Sequence, residues 1–162
     1  MKAFPEIYQS NYTTLYRTAQ KMMGNGYDVK DIVQEVFVDF FEQTNRGVQI
    51  NYPGSWLYRV TLNKCMDVLR NDKKYVDAEP SANIADESNT PEARETKALM
   101  ACCLSELKPH ERALCVLYSE GLSYKEMAEV TGIPFASVGK TLARTLCKLE
   151  KSLKEKGYEM SG

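Results

Sequence analysis

The stretch that most constrains this chain runs from Gly121 to Leu153, GLSYKEMAEVTGIPFASVGKTLARTLCKLEKSL. It reads as a helix, a tight turn and a second helix. Ser123 and Glu126 have the S-x-x-E spacing of a capping box, in which hydroxyl and carboxylate each satisfy a free backbone N–H. A short helix from Tyr124 to Val130 follows, with Met127 and Ala128 inward. Gly132 can turn with positive φ, and Pro134 stands where a new helix begins. At about 100° per residue, Phe135, Val138, Leu142, Leu146, Leu149 and Leu153 form one narrow apolar stripe. Ser137, Lys140, Arg144, Lys148 and Lys151 fall together nearly opposite. One face suits a core and the other a polyanion, the pattern of the recognition half of a helix-turn-helix. A solvated lysine-rich face is the plainer alternative. The capped first helix and the glycine turn favour DNA.

A net charge of −1 looks wrong for a nucleic-acid protein until it is localised. Residues 75–96 carry six acids against Arg94 alone, whereas residues 134–156 carry six Lys/Arg against two Glu, and residues 55–74 five against two Asp. The asymmetry says more than the sum. With 162 residues the chain suits one medium domain or two small ones. No run approaches a membrane span, and MKAFPEIYQSN lacks the apolar core of a signal peptide, so a cytoplasmic protein is expected. The five cysteines (Cys65, Cys102, Cys103, Cys115, Cys147) have no zinc-ligand spacing, and His110 is the single histidine. Four of the five fall in apolar patterns, where reduced cysteine acts as a small hydrophobe. Neither a metal nor another cofactor is expected.

In chain order, residues 5–23 show Tyr8, Tyr12, Leu15, Tyr16, Ala19 and Met23 at helical spacing, stopped by Gly24-Asn25-Gly26. Asp28 caps a second helix to about Gln43, with Val33, Val36, Phe37, Phe40 and Phe41 inward. On it Asp31, Glu35, Asp39 and Glu42 form one acidic stripe. Three readings stand at this point: a solvated face, a carboxylate metal site that lacks its usual Glu-x-x-His, or a docking surface for a basic partner. After a loop from Asn45 to Tyr52, Pro53 opens a third helix to about Lys73, with Trp56, Leu57, Val60 and Leu69 as apolar contacts. Its aromatics beside Arg59, Lys64, Arg70, Lys73 and Lys74 suit single-stranded nucleic acid, though Trp56 serves equally well as a core residue. Residues 75–90 lose periodicity and read as a flexible acidic linker. Thr90-Pro91 opens a helix through Leu107, and Lys108-Pro109 another to about Glu120, with Ala113, Leu114 and Leu117 inward. No strand pattern is present.

Two helical modules, each with a nucleic-acid surface, resemble the bacterial sigma-70 factors of the extracytoplasmic-function group, over almost the whole chain. DVKDIVQEVFVDFF is similar to the family's region 2.2 helix, PGSWLYRVTLNKCMDVLR to its promoter-melting helix (at Trp56, Leu57, Asn63, Asp67 and Arg70), and residues 121–153 to region 4. The resemblance implies an all-α fold of two small domains: a region 2 bundle over 1–74 and a region 4 helix-turn-helix over 91–156, joined by the linker 75–90 and followed by a tail 157–162. It implies core RNA polymerase as partner, through the β′ clamp helices and the β flap, with Asp31, Gln34, Glu35 and Phe37 as the clamp-helix contacts. Minus-ten DNA falls to Tyr52, Trp56, Arg59, Asn63, Lys64, Arg70, Lys73 and Lys74, with the loop 45–52 holding an extruded base. Minus-thirty-five DNA falls to Ser137, Lys140, Thr141, Arg144 and Lys148. An anti-sigma factor is a further implied partner, and membrane insertion is not implied.

The chain departs from the family in two places. Where relatives read G-T-V-K-S-R, it has Ala136-Ser137-Val138-Gly139-Lys140-Thr141, which removes two basic side chains and puts glycine inside a helix at a cost of about 1 kcal/mol. Leu62 and Lys64 exchange the usual polar and apolar positions around Asn63. The function implied is promoter recognition and melting without catalysis. A stand-alone helix-turn-helix regulator with an N-terminal sensing or dimerising domain is the competing reading. An enzyme has little support, with one histidine and no Gly-rich phosphate loop.

Overall fold

Local signals start and stop the helices. A computed structural model describes residues 3–24, 27–71 and 90–157, and among them it has seven helices and no strand. Pro5 lies in the first turn of α1 (Phe4–Met23), and Gly24, at φ 71°, ends it by donating its N–H to the Gln20 carbonyl. The Asp28 carboxylate accepts from the Lys30 N–H at 3.0 Å and opens α2 (Val29–Asn45). α3 spans Pro53–Asn71. Thr90 Oγ1 accepts from the Ala93 N–H at the start of α4 (Pro91–Ser105). At α5 (Pro109–Ser119) the Glu111 carboxylate accepts from the Lys108 N–H at 3.1 Å. The Ser123/Glu126 capping box is complete at α6 (Tyr124–Thr131), both bonds being 3.1 Å, and Gly132 ends that helix at φ 79°. α7 runs Phe135–Glu155.

Helices α1, α2 and α3 pack pairwise around Leu15, Ala19, Met22, Val33, Val36, Phe37, Leu57, Leu62 and Cys65. Helices α5, α6 and α7 pack around Ala113, Leu114, Leu117, Met127, Val138 and Leu142, with α4 laid against α7. The two groups meet where α5 and α6 lie on α1 and α3, and their apolar side chains form one continuous buried cluster. The expected linker lies outside the described residues up to Thr90, as do Asn25 and Gly26 of the expected helix stop.

Several expectations are corrected in depth rather than in element. Phe135 was expected in the core stripe of α7, yet it is 63% exposed while Val138 and Leu142 are buried. Periodicity gives a direction around a helix, and Phe135 stands in the first turn with no neighbouring element to cover it. Phe41, expected inward on α2, is 46% exposed. Ala128 is half-buried where Val130 is buried, and of the five cysteines Cys65, Cys103 and Cys115 are buried while Cys102 and Cys147 are exposed. Burial pushes the Cys65 thiol up to about 12 and the Cys115 thiol to about 11, so neither is a thiolate near neutrality.

Candidate nucleic-acid interface

The acidic stripe of α2 points outward. Asp31, Glu35 and Glu42 are exposed and Asp39 is half-exposed. The α2 pattern explains this, because Val33, Val36, Phe37 and Phe40 take the buried side. Phe37 is only 2% exposed and packs among Phe4, Tyr8 and Tyr12, so its side chain chiefly holds α2 on α1 and forms the floor of the groove beside it. Gln34 is exposed and its amide donates to the Tyr8 hydroxyl at 3.2 Å. The apolar side chains that do reach the surface are Val38 and Phe41, beside a groove of about 660 Å³ lined by Phe4, Tyr8, Phe37, Val38, Phe41 and Arg46. Neither stood out in the sequence as an exposed residue.

The second surface is α3 with the loop before it. Gly47, at φ 86°, turns the chain out of α2, and Val48 and Tyr52 stand out at 47% and 77% exposure. Tyr52 accepts from the Trp56 N–H through its carbonyl and so fixes the first turn of α3. Trp56 is half-buried, its ring edge-on to Phe40 at 5.5 Å. Asn63 is exposed, and Arg70 is exposed beside Asp67 at 3.4 Å. Two other cations of this set are engaged elsewhere. Arg59 donates to the Glu129 carbonyl of α6 at 2.6 Å, and the Lys64 ammonium lies 3.0 Å from Asp39 and 3.6 Å from Glu35 on α2. Lys73 and Lys74 lie outside the described residues.

The third surface is the outer face of α7. Ser137, Lys140, Arg144 and Lys148 are exposed, and Thr141 is half-buried. Lys148 Nζ donates to Glu111 Oε2 at 2.7 Å. Burial pushes the Glu111 pKa up, but that bond and the Lys108 N–H outweigh it and leave the carboxyl below its usual range. Gly139 sits against the Tyr124 ring, where a Cβ would come within 3.4 Å of Tyr124 Cε2. Tyr124, itself 46% exposed, covers the position where the family resemblance implies a basic side chain.

The joint between the halves was not anticipated from the sequence. Glu120, with its side chain 3% exposed, accepts from Arg17 Nε at 2.9 Å and from Lys21 Nζ at 2.7 Å, both on α1. Arg112 is 7% exposed, and its guanidinium donates to the Met22 carbonyl at 2.6 Å and to the Ser105 carbonyl at 3.2 Å. Met22 lies in the last turn of α1, where free carbonyls and the negative end of the helix dipole favour a cation. One signal was available: α5 buries every residue from Glu111 to Leu117, and the run ALCVL has the all-round apolar character of an enclosed helix.

Residues 7–75 match the family model for sigma-70 region 2, and residues 97–149 that for sigma-70 region 4. The chain is 30% identical over 155 residues to the ECF RNA polymerase sigma factor SigE of Mycolicibacterium smegmatis, covering 89% of this chain and 59% of that protein. It therefore spans less than two thirds of that relative's length. It is 28% identical to the ECF sigma factor SigW of Bacillus subtilis, over 94% of this chain and 90% of the relative. Among solved structures, the fold is similar to the sigma factor RpoE in complex with the anti-sigma factor NepR from Bartonella quintana (TM-score 0.73, 18% identity, 95% of this chain and 98% of that one). It is also similar to CnrH in complex with the cytosolic domain of CnrY (TM-score 0.68, 25% identity, 94% and 88%). No helix among the described residues is long and apolar enough to cross a membrane.

Proposed function

The chain belongs to the sigma-70 family, in its extracytoplasmic-function group, and from that premise we propose how its surfaces divide the work of transcription initiation. The protein joins core RNA polymerase, brings it to promoters and stabilises the melted duplex. Residues 1–74 and 91–156 act as the two promoter-reading units, with 75–90 between them and 157–162 as a tail. The single observation that carries this reading is the order of unlike surfaces: an outward acidic face on α2, an aromatic and cationic α3, and a cationic α7 behind a capped turn.

Asp31, Gln34 and Glu35 meet the basic side chains of the polymerase β′ clamp helices, and Phe37 sets the helix that presents them. The region 4 unit meets the β flap. Tyr52 and Trp56 offer flat apolar surface to unstacked bases at the minus-ten element, while Arg59, Asn63, Lys64, Arg70, Lys73 and Lys74 supply polar and phosphate contacts. Lys140, Arg144 and Lys148 set register on the minus-thirty-five backbone, and Ser137 and Thr141 reach base edges. These residues make and break no bond of DNA or nucleotide: the protein acts as a specificity subunit and not as an enzyme, and it does so where the polymerase is, in the cytoplasm. An anti-sigma factor covers the same surfaces when transcription is held off; the sigma factor RpoE among the structural neighbours was solved with such a partner.

The region 2 match over residues 7–75 occupies the place that a stand-alone repressor would need for a sensing or dimerising domain. The deciding experiment mixes the purified protein with core polymerase and assays open-complex formation across a promoter library. Specific open complexes that depend on the added chain are expected. A chain that never associates with core enzyme would sink the proposal.

A further inference from the structure

Lys64 stands on the helix assigned to DNA but places its charge on the helix assigned to polymerase. Its ammonium lies 3.0 Å from Asp39 Oδ2 and 3.6 Å from Glu35 Oε2. These carboxylates are one turn apart on α2, and with Lys64 they line a shallow depression completed by Asp31, Gln34 and Val38. Burial depresses the Lys64 pKa, but the hydrogen bond and charge of Asp39, then those of Glu35, outweigh it and keep the ammonium charged. All three side chains retain contact with water, at 28% exposure for Lys64, 68% for Glu35 and 42% for Asp39. An ion pair so exposed is held weakly and can be exchanged. Lys64 is also the neighbour of exposed Asn63, about 100° further round α3. A flexible four-carbon stem allows its point charge to serve either side of that helix edge.

We propose that Lys64 is a relay cation: in the free chain it occupies Glu35 and Asp39, and when a basic partner surface takes those carboxylates its ammonium passes to a phosphate of the DNA strand on α3. The partner is a lysine- and arginine-bearing surface of the polymerase, so the relay rests on the docking role of Asp31 and Glu35 given above. Docking then has a built-in consequence for the DNA step. The partner displaces an internal competitor, and the competitor becomes a DNA contact.

Such a role predicts opposite signs for two measurements on one variant. Lys64→Gln removes the competitor, so affinity for core polymerase rises two- to tenfold. The same change removes one phosphate contact from the polymerase–promoter complex. The slope of log affinity against log salt therefore shrinks by about 0.7 to 0.9, the value for one phosphate on single- or double-stranded DNA. A residue that merely braces α2 against α3 would weaken docking when neutralised. Lys64→Arg keeps the charge and retains the wild-type slope, which separates loss of the contact from loss of fold. Weaker or unaltered polymerase binding in Lys64→Gln, or an unaltered salt slope, overturns the relay. Charge reversal of Asp31 and Glu35 to lysine reports on the docking role separately. If that double variant binds core enzyme normally, the docking role and the relay fall together. If it abolishes binding while Lys64→Gln changes nothing, the relay alone falls.

Discussion

Glu120 shows how much one side chain can hold. It is nearly inaccessible yet faces two cations whose own side chains are 52% and 37% exposed. Burial pushes its pKa up, but the hydrogen bonds from Lys21 and Arg17 and their charges pull it below the ordinary 4.5. A carboxyl whose folded pKa is depressed stabilises the fold fully above its unfolded value, and that stability is lost as pH falls through the folded one. Glu120→Gln should therefore lower stability near neutrality by about 1.5–3 kcal/mol, the worth of a hydrogen bond to a charged group. The gap between variant and wild type should narrow as pH drops below 4.5, as read by urea unfolding across pH. A gap that stays constant into acid would assign the loss to shape and not to charge. Nothing in the local sequence marks this residue. Arg17 and Glu120 are 103 positions apart, and a pair closed over that distance leaves no periodicity to read. Lys64 was hidden for the same reason: its neighbours along α3 suggest DNA, and its partners lie on another helix.

At the scale of elements, most of the chain was legible. Caps, prolines and glycine stops act within four residues, and all seven described helices begin within about a residue of where those signals put them. The Ser123/Glu126 box is the clearest case, and removing its hydroxyl with Ser123→Ala should cost about 1 kcal/mol in thermal unfolding. Depth was less legible than direction, as the exposed Phe135 shows. Gly139 in the middle of α7 gives a sharper element-scale prediction. Alanine there should stabilise the protein by up to about 1 kcal/mol, because the helix gains propensity and the added methyl meets the Tyr124 ring at ordinary contact distance, 3.4 Å. Gly139→Lys should instead displace the half-exposed ring and add a cation to the DNA face. Its signature is tighter minus-thirty-five binding with a salt slope steeper by about 0.9. Equal slopes for wild type and the lysine variant would remove position 139 from the interface.

For the whole molecule, the shared core raises a question of reach. A folded chain of this length has a radius of gyration of about 15 Å. Promoter elements centred at minus ten and minus thirty-five lie about 25 base pairs apart, or about 85 Å at 3.4 Å per step. With α5 and α6 seated on α1 and α3, and Arg59 bonded to α6, the α3 and α7 surfaces cannot reach both elements together. The joint must therefore part for the proposed function. Weakening it at Glu120 and Arg59 together should raise the distance between fluorophores placed on α2 and α7, and high salt should move the wild type in the same direction. Fluorophores that remain close in the polymerase–promoter complex would contradict the separation.

The continuous apolar cluster that joins the two groups of helices also makes their binding equilibria reciprocal. If core polymerase prefers the parted arrangement by some factor, its docking on α2 raises the promoter affinity of α7 through that preference. Promoter DNA must then raise the affinity for polymerase by the same factor. Glu120 and Arg112, which touch neither partner in the proposal, would set the size of that coupling through the bonds they make to α1 in the joined form. Substitutions there should change how strongly polymerase and promoter favour each other, while leaving the chemistry of both contact surfaces as it was.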